Sequence, residues 1–407
     1  MMKNLFWIKI FALMLLFSCK EEELSIPIDS SLPAPKMVTN VTIKNLPGRA
    51  VLYYQVPDDK NFLYVKAEYE IRTGIKRETK ASLYTDSLLL DGFAKGGEYT
   101  VKLYSIGRNE KPSEPLVVRV NPEEAPVNEA FKSLVLTEGF GGVRIHFENP
   151  NQRDFAYCLL VDSLNNGDWA ALQTFYSKNS KGIFSHTGLK PAPVKVGAYI
   201  RDRWGNTSDT VVNTLTPLFE YMIPKPYGVF NLASDSYLPA ENDANRYAIT
   251  GLWDGITSAE NTNIFANTHT SPMPQTFTVN IKQSVTLSRI NVHQRIRNEY
   301  TGSMVKKFEI YGSNSLNPKD ELTSDDWTLL GRFESVKPSG TGPITAEDRA
   351  YANVKGESFE FIPTNEIPNP WIPVRFIRFR TLETYNGPSP LGQIIIAEIS
   401  LFGQSKK

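Results

Sequence analysis

Along most of this chain apolar residues recur at every second position in short runs, and Gly, Pro, Asn and Asp cluster between the runs. That alternation is the signature of half-buried β-strands joined by turns. Ala50–Val56 (AVLYYQV), Leu63–Ile71 (LYVKAEYEI), Tyr99–Ile106 (YTVKLYSI) and Leu116–Val120 read as strands of a first unit, residues 36–122, with Gly107–Glu110 as a turn. Val143–Phe147, Ala156–Asp162, Val194–Asp202 and Thr210–Leu215 fall in a second, residues 123–222. The third, residues 223–407, holds Phe277–Ile281, Val285–Gln294, Val305–Ser313, Asp326–Phe333, Glu357–Phe361, Val374–Thr381 and Gln393–Phe402. No amphipathic helix of convincing length interrupts these runs.

Composition supports an all-β reading. Pro and Gly, 27 and 26 of 407 residues, suit a turn-rich protein, and the 18 Tyr and 22 Phe favour strands. Lys plus Arg equals Asp plus Glu at 44 each, so no excess charge draws nucleic acid. Two Cys build neither a disulfide scaffold nor a four-Cys zinc site. There is no His-Glu-x-x-His, Gly-x-Ser-x-Gly, Walker loop or dinucleotide fingerprint. Gly139–Gly142 reads as a hairpin, and the adjacent Asp325 and Asp326 would point to opposite faces of a strand. The chain is therefore expected not to be an enzyme.

The N-terminus carries Lys3 and Lys9, then the uninterrupted apolar run Ile10–Phe17, too short to span a bilayer and suited to a signal peptide over residues 1–18. Leu16-Phe17-Ser18-Cys19 resembles a bacterial lipobox, which implies lipidation of Cys19 and a lipidated tether over residues 19–35. Lys20-Glu21-Glu22-Glu23 resembles the export signal of Bacteroidetes-type surface lipoproteins. Leu24–Pro35, with three Pro, is expected to be an extended spacer.

The strand layout of the first unit, with Tyr99 opening a late strand, resembles a fibronectin type III or immunoglobulin-like sandwich. The second unit, with Asp202-Arg203-Trp204-Gly205-Asn206-Thr207-Ser208, resembles the second sandwich of the same lipoproteins; Trp204 there either covers the sandwich edge or stacks a sugar. Cys158 reads as a small buried apolar residue. In the third unit, Trp253-Asp254-Gly255, Ile310-Tyr311-Gly312-Ser313, Asp326-Trp327, Arg375-Phe376-Ile377-Arg378 and Ala397-Glu398-Ile399 match, in order, a discoidin (coagulation-factor C-type, galactose-binding-like) domain. The fold these resemblances imply is two fibronectin type III/immunoglobulin-like sandwiches followed by a discoidin-like jelly-roll β-sandwich.

The discoidin resemblance also implies a carbohydrate site on the loops at one end and a structural calcium near Asp254, Thr257 and Glu398, oxygen donors of the kind calcium takes. Ile256 stands where a second acidic or small polar residue is usual. In the alternative reading Asp254 caps a turn and Glu398 pairs with Arg378 or Arg380. For the sugar, which needs an aromatic platform and planar polar groups, the expected residues are His269, Arg295, Tyr300, Tyr385 and Asn386. Trp253, Trp327 and Trp371 read as core or rim packing. The combination implies a non-catalytic, outer-membrane, lipid-anchored protein that binds a glycan, alongside a transporter or other surface lipoproteins. The alternative is an adhesion or assembly protein with a protein partner at its tip.

Overall fold

The structure is a computed structural model that describes residues 29–236, 246–389 and 391–405. The signal peptide, Cys19 and the acidic run after it lie outside the described residues. The chain is all-β, apart from short helices, and divides into two compact units.

The first unit holds the first sandwich and most of the second. In the first sandwich β1 (Thr39–Leu46), β2 (Arg49–Gln55) and β5 (Ser87–Asp91) form one sheet. The other has the order β4-β3-β6-β7, from β3 (Phe62–Arg72), β4 (Ile75–Ser82), β6 (Tyr99–Gly107) and β7 (Leu116–Val120). Alternation sets the faces: in β3, Val65, Ala67, Tyr69 and Ile71 point inward to meet Leu52, Leu88 and Leu90. Tyr99 opens β6 and donates its hydroxyl to the Lys95 carbonyl at 2.9 Å, pinning the corner before that strand.

A short helix, α1 (Pro126–Phe131), leads into β8 (Val135–Gly139), β9 (Gly142–Glu148), β10 (Phe155–Asp162), β11 (Ala170–Ser177), β12 (Lys181–Thr187), β13 (Val194–Arg201) and β14 (Val211–Leu215). Their sheet orders, β12-β9-β8 and β11-β10-β13-β14, repeat the plan of the first sandwich strand for strand. Phe184 stacks between Phe147 and Phe175 inside this sandwich, at ring distances of 5.0 and 4.7 Å.

Two features of this unit qualify the reading from sequence. Trp204 covers an edge: its ring lies against Gly92 of the first sandwich so closely that a Cβ there would sit 3.0 Å from the indole. Asn206 locks the same corner, accepting from Arg72 at 2.7 Å and donating to the Gly92 carbonyl at 3.0 Å. The expected extended spacer is not free along its described part. Asn61, Asn109 and Lys111 donate to the carbonyls of Pro33, Leu32 and Ser30, each at 2.8 Å, so the chain from Ser30 onward is tied to the first sandwich.

The second unit contains residues 137–144 and 185–194 and everything from Thr214. Its strands are β15 (Tyr221–Met222), β16 (Gly228–Val229), β17 (Phe265–Ala266), β18 (Gln275–His293), β19 (Val305–Ser313), β20 (Thr328–Glu334), β21 (Glu357–Glu360), β22 (Pro373–Thr384), β23 (Ile395–Ile396) and β24 (Glu398–Ser405). They run β15-β24-β18-β22-β19-β20, with β16 and β21 also on β18 and a separate β17-β23 pair. The sheet thus begins at Tyr221, two residues before the boundary read from sequence.

The runs Phe277–Ile281 and Val285–Gln294 prove to be one strand, β18, broken by a bulge between Asn280 and Val285 where Lys282 adopts φ 70°. Before the bulge it pairs mainly with β22, and beyond it with β24 and β21. Phe277, Phe308 and Phe379 stack at 5.0 and 4.6 Å in the core between.

β22 is apolar or buried on both faces, unlike a strand with one wet side. Ile377 and Phe379 enter the core. On the opposite face Arg378, 1% exposed, is held by Asp235 at 3.1 Å, Asp320 at 3.1 Å and the Ser234 hydroxyl. Trp371 packs within the unit: its ring meets Phe140 edge-on at 5.7 Å and lies 5.1 Å from the Arg144 guanidinium, while its indole N–H donates to the Phe361 carbonyl at 2.6 Å. A helical segment with α2 (Ala346–Arg349) continues to Gly356 and starts on a capping box between Thr345 and Asp348.

Candidate functional site

The third domain gathers its loops at one end, and backbone hydrogen bonds fix the gathering. The Ile296 N–H donates to the Ala259 carbonyl at 3.1 Å, joining loop 254–263 to loop 294–304. Tyr385 N–H donates to Met304 at 3.0 Å, and Gly392 N–H to Ser271 at 3.0 Å, which adds loops 385–394 and 267–271. Ala259, Ile264, Ala266, Met304, Ile395 and Ala397 form a small apolar plug under them, and Tyr385 packs on it. Asn267 stitches the plug from within by accepting from Ile394 N–H at 2.7 Å.

The residues expected on this end lie on these loops at different depths. His269 and Asn386 are exposed. Arg295 is half-buried and donates to the Asn261 side chain. Tyr385 is half-buried; its hydroxyl donates to the Ser335 carbonyl at 2.6 Å. Tyr300 is 7% exposed, with its ring edge-on to Tyr385 at 5.8 Å, so it walls the site from beneath and offers no open face. Burial pushes the Tyr300 hydroxyl well above the ordinary phenol range and that of Tyr385 up to about 12.

Asp254 and Glu398 also meet, as the discoidin resemblance implies, through the loop that follows Trp253. The Glu398 carboxylate is fully buried and accepts from Gly255 N–H at 3.2 Å. Asp254 accepts from Ile256 N–H at 2.8 Å and from the Asn263 side chain at 3.0 Å. Asp254 therefore caps a turn, as the alternative reading had it. The partner of Glu398 is Lys225, where that reading named Arg378 or Arg380; Arg378 is held by Asp235 and Asp320, and Arg380 by Glu309 at 2.7 Å. Burial raises the Glu398 carboxyl, and the Lys225 ammonium opposes that rise. Thr257 is half-buried on the same loop. This donor set does not fit calcium: an ammonium already stands against the carboxylate that would ligate the ion, and N–H donors take the remaining oxygens. Among the described residues no cluster of three or more His, Cys, Asp or Glu could hold a metal.

Beneath the loops lies a buried polar network with no motif to announce it. Glu357, 3% exposed, accepts from Gln294 and, at 2.6 Å, from the Ser335 hydroxyl, which lies 3.0 Å from the Tyr385 hydroxyl. Burial pushes the Glu357 carboxyl up to about 7. The sequence showed only a Glu opening an apolar run; its burial comes from pairing with β18.

Three family descriptions match successive parts of the chain, each a domain of unknown function: DUF4959 over residues 35–122, DUF5126 over 123–226 and DUF5000 over 253–403. No curated protein matches. Among solved structures the chain is similar to a SusE-like protein at 27% identity, over 69% of this chain and 99% of that one, with a TM-score of 0.40. It is also similar to the family 32 CBM from C. perfringens NanJ in complex with galactose, at 15% identity over 45% and 98% of the two chains, TM-score 0.29. A two-domain fibronectin type III segment from chicken tenascin aligns at 16% identity over 44% and 99%, TM-score 0.22.

Proposed function

We propose that the chain is a non-catalytic glycan-binding protein of the cell surface, with the loop end of its third domain as the binding face. The observation that supports this reading is the convergence of four loops over an apolar plug on which Tyr385 packs; His269, Arg295 with Asn261, and Asn386 belong to those loops. Planar donors and acceptors beside an aromatic edge suit vicinal hydroxyls. Asp254 and Glu398 serve the site by fixing the neighbouring loop, with Lys225 supplying the positive charge. A lipid on Cys19 would hold the protein on the outer membrane, where a second acyl chain makes anchoring stable, and transporter or other surface lipoproteins would be its neighbours.

Ile256 and Leu391, exposed apolar residues, lie on two of the converging loops. They support the second reading, a protein partner at this face. Affinity electrophoresis of the full chain through gels containing single polysaccharides tests the first. Retardation by one glycan, lost in Asn386→Ala and Arg295→Ala, supports capture at the loops. Retardation by none of a broad panel, or retardation that both variants keep, refutes it.

A further inference from the structure

The second sandwich carries a cleft that neither its plan nor the loop end of the third domain explains. The strand register builds it. Ala156 on β10 stands directly opposite Tyr176 on β11 and Arg201 on β13. A small residue, 5% exposed, therefore lies between an aromatic ring that is 73% exposed and an exposed guanidinium. Two strand spacings separate those flanks by roughly 10 Å. Two residues along the same face, Cys158 forms the floor between Thr174 and Tyr199. Two further, Gly197 leaves its place to the ring of Trp169, which would lie 3.1 Å from a Cβ there. From Arg201 to Gly197 the aromatic-lined run extends roughly 13 Å along the sheet. The opening at its Tyr176 end encloses about 760 Å³, within the ordinary range of ligand sites.

Its charge is selective. Asp202 already accepts from the N–H groups of Trp204 and Asn206 at 2.9 and 2.8 Å on one oxygen and from the Asn206 side-chain amide at 2.9 Å on the other, and Arg203 pairs with Asp91 at 3.3 Å. Lys178 and Arg201 face the cleft without an ion-pair partner among the described residues, against Asp154 and the hydrogen-bonded Asp202. An exposed ring that has not packed, a small floor and a free guanidinium fork make a place for a flat ligand with C–H faces and a carboxylate.

We propose that this cleft is a second binding site, distinct from the loop end, and that its ligand is a linear uronic-acid saccharide. One sugar face lies on Tyr176 over Ala156, the carboxylate meets Arg201, and the chain continues toward Tyr199 and Trp169.

The test is affinity electrophoresis of the full chain in gels containing polygalacturonate, with dextran as the neutral control. Polygalacturonate retards the wild type and dextran does not. Tyr176→Ala and Arg201→Gln, both exposed positions, keep the wild-type thermal midpoint and each weaken retention by about tenfold, as loss of one stacking face or of one charge-assisted contact implies. Tyr84→Ala, an exposed ring of the first sandwich, retains full retardation. Four results overturn the proposal: no retardation by polygalacturonate, equal retardation by dextran, unchanged retention in both cleft variants, or retention abolished by His269→Ala but not by Tyr176→Ala. The last result would leave the loop-end reading standing while removing this one.

Discussion

Glu357 offers the sharpest test of the buried chemistry under the loops. Three oxygen–oxygen contacts link it outward: Glu357 to the Ser335 hydroxyl at 2.6 Å, that hydroxyl to the Tyr385 hydroxyl at 3.0 Å, and the latter to the Ser335 carbonyl at 2.6 Å. Ser335 donates its hydroxyl proton to the Glu357 carboxyl and Tyr385 donates to the Ser335 carbonyl. Burial lifts this carboxyl to about 7, against an ordinary 4.5, and outweighs the Ser335 and Gln294 hydrogen bonds, which favour the ionised form. The sign follows. Between those values the folded state keeps a proton that the unfolded state has released, so the contribution of this group to stability falls as pH rises and is lowest above about 7. A carboxyl displaced this far costs about 3 kcal/mol once ionised. Glu357→Gln keeps the acceptor toward Gln294 and donates an amide proton to Ser335 at every pH. Urea denaturation followed by tryptophan fluorescence, from about pH 5 to about pH 8, should show the variant gaining about 2 to 3 kcal/mol on the wild type across that window. Parallel pH profiles for the two proteins would refute the neutral acid, as would a carboxyl carbon resonance for Glu357 titrating below about pH 5.

Other outcomes follow from neighbouring geometry. Arg378→Met should destabilise the chain by about 3 to 5 kcal/mol, because Asp235 is left buried without its cation; a loss below about 1 kcal/mol in urea titration would show that Asp235 finds water. Gly142→Ala should abolish soluble expression or lower the melting temperature steeply, since its Cβ would fall 1.7 Å from the His186 carbonyl oxygen; a wild-type melting curve would contradict the close approach of β9 and β12. Calcium or chelator should leave the wild-type melting temperature unchanged, whereas Lys225→Ala, which strips Glu398 of its counter-charge, should become stabilised by calcium. A calcium-dependent midpoint in the wild type would restore the cage that the discoidin resemblance implies.

What was legible in the sequence follows from what alternation encodes. Leu116–Val120 falls on its strand residue for residue because it alternates between a wetter and a drier face, and Val305–Ser313 does so although both of its faces are largely covered. β4 and β11 escaped the pattern. β4 is IKRETKAS, an edge strand with few inward apolar residues, and its identity comes from pairing with β3. β11 is an edge strand too, with Tyr176 outward and Phe175 inward, so its apolar residues stand adjacent and break the period. Arg378 shows the opposite limit. Its place in an alternating strand assigns it to a solvent face, and only the segment around Asp235, which folds over that face, turns it into a buried ion pair.

The same reasoning explains why sequence located the loop end but could not rank its residues. Position in a loop puts His269, Tyr300, Tyr385 and Asn386 between strands of a jelly roll, and strand order decides which of those loops are neighbours. Depth is decided by packing partners far away in sequence. Tyr300 adopts φ 54°, which turns its ring inward against Tyr385, and Tyr385 is in turn held by Ser335, fifty residues earlier. Neither contact has a local signal. The cleft of the second sandwich was invisible for a related reason. Tyr176, Ala156 and Arg201 belong to three separate runs and become one surface only when the register sets them in a row. A one-residue slip of β11 would turn Tyr176 into the core and Phe175 outward. The stack of Phe175 on Phe184 therefore fixes the register, and with it the exposed ring on which the uronate reading depends.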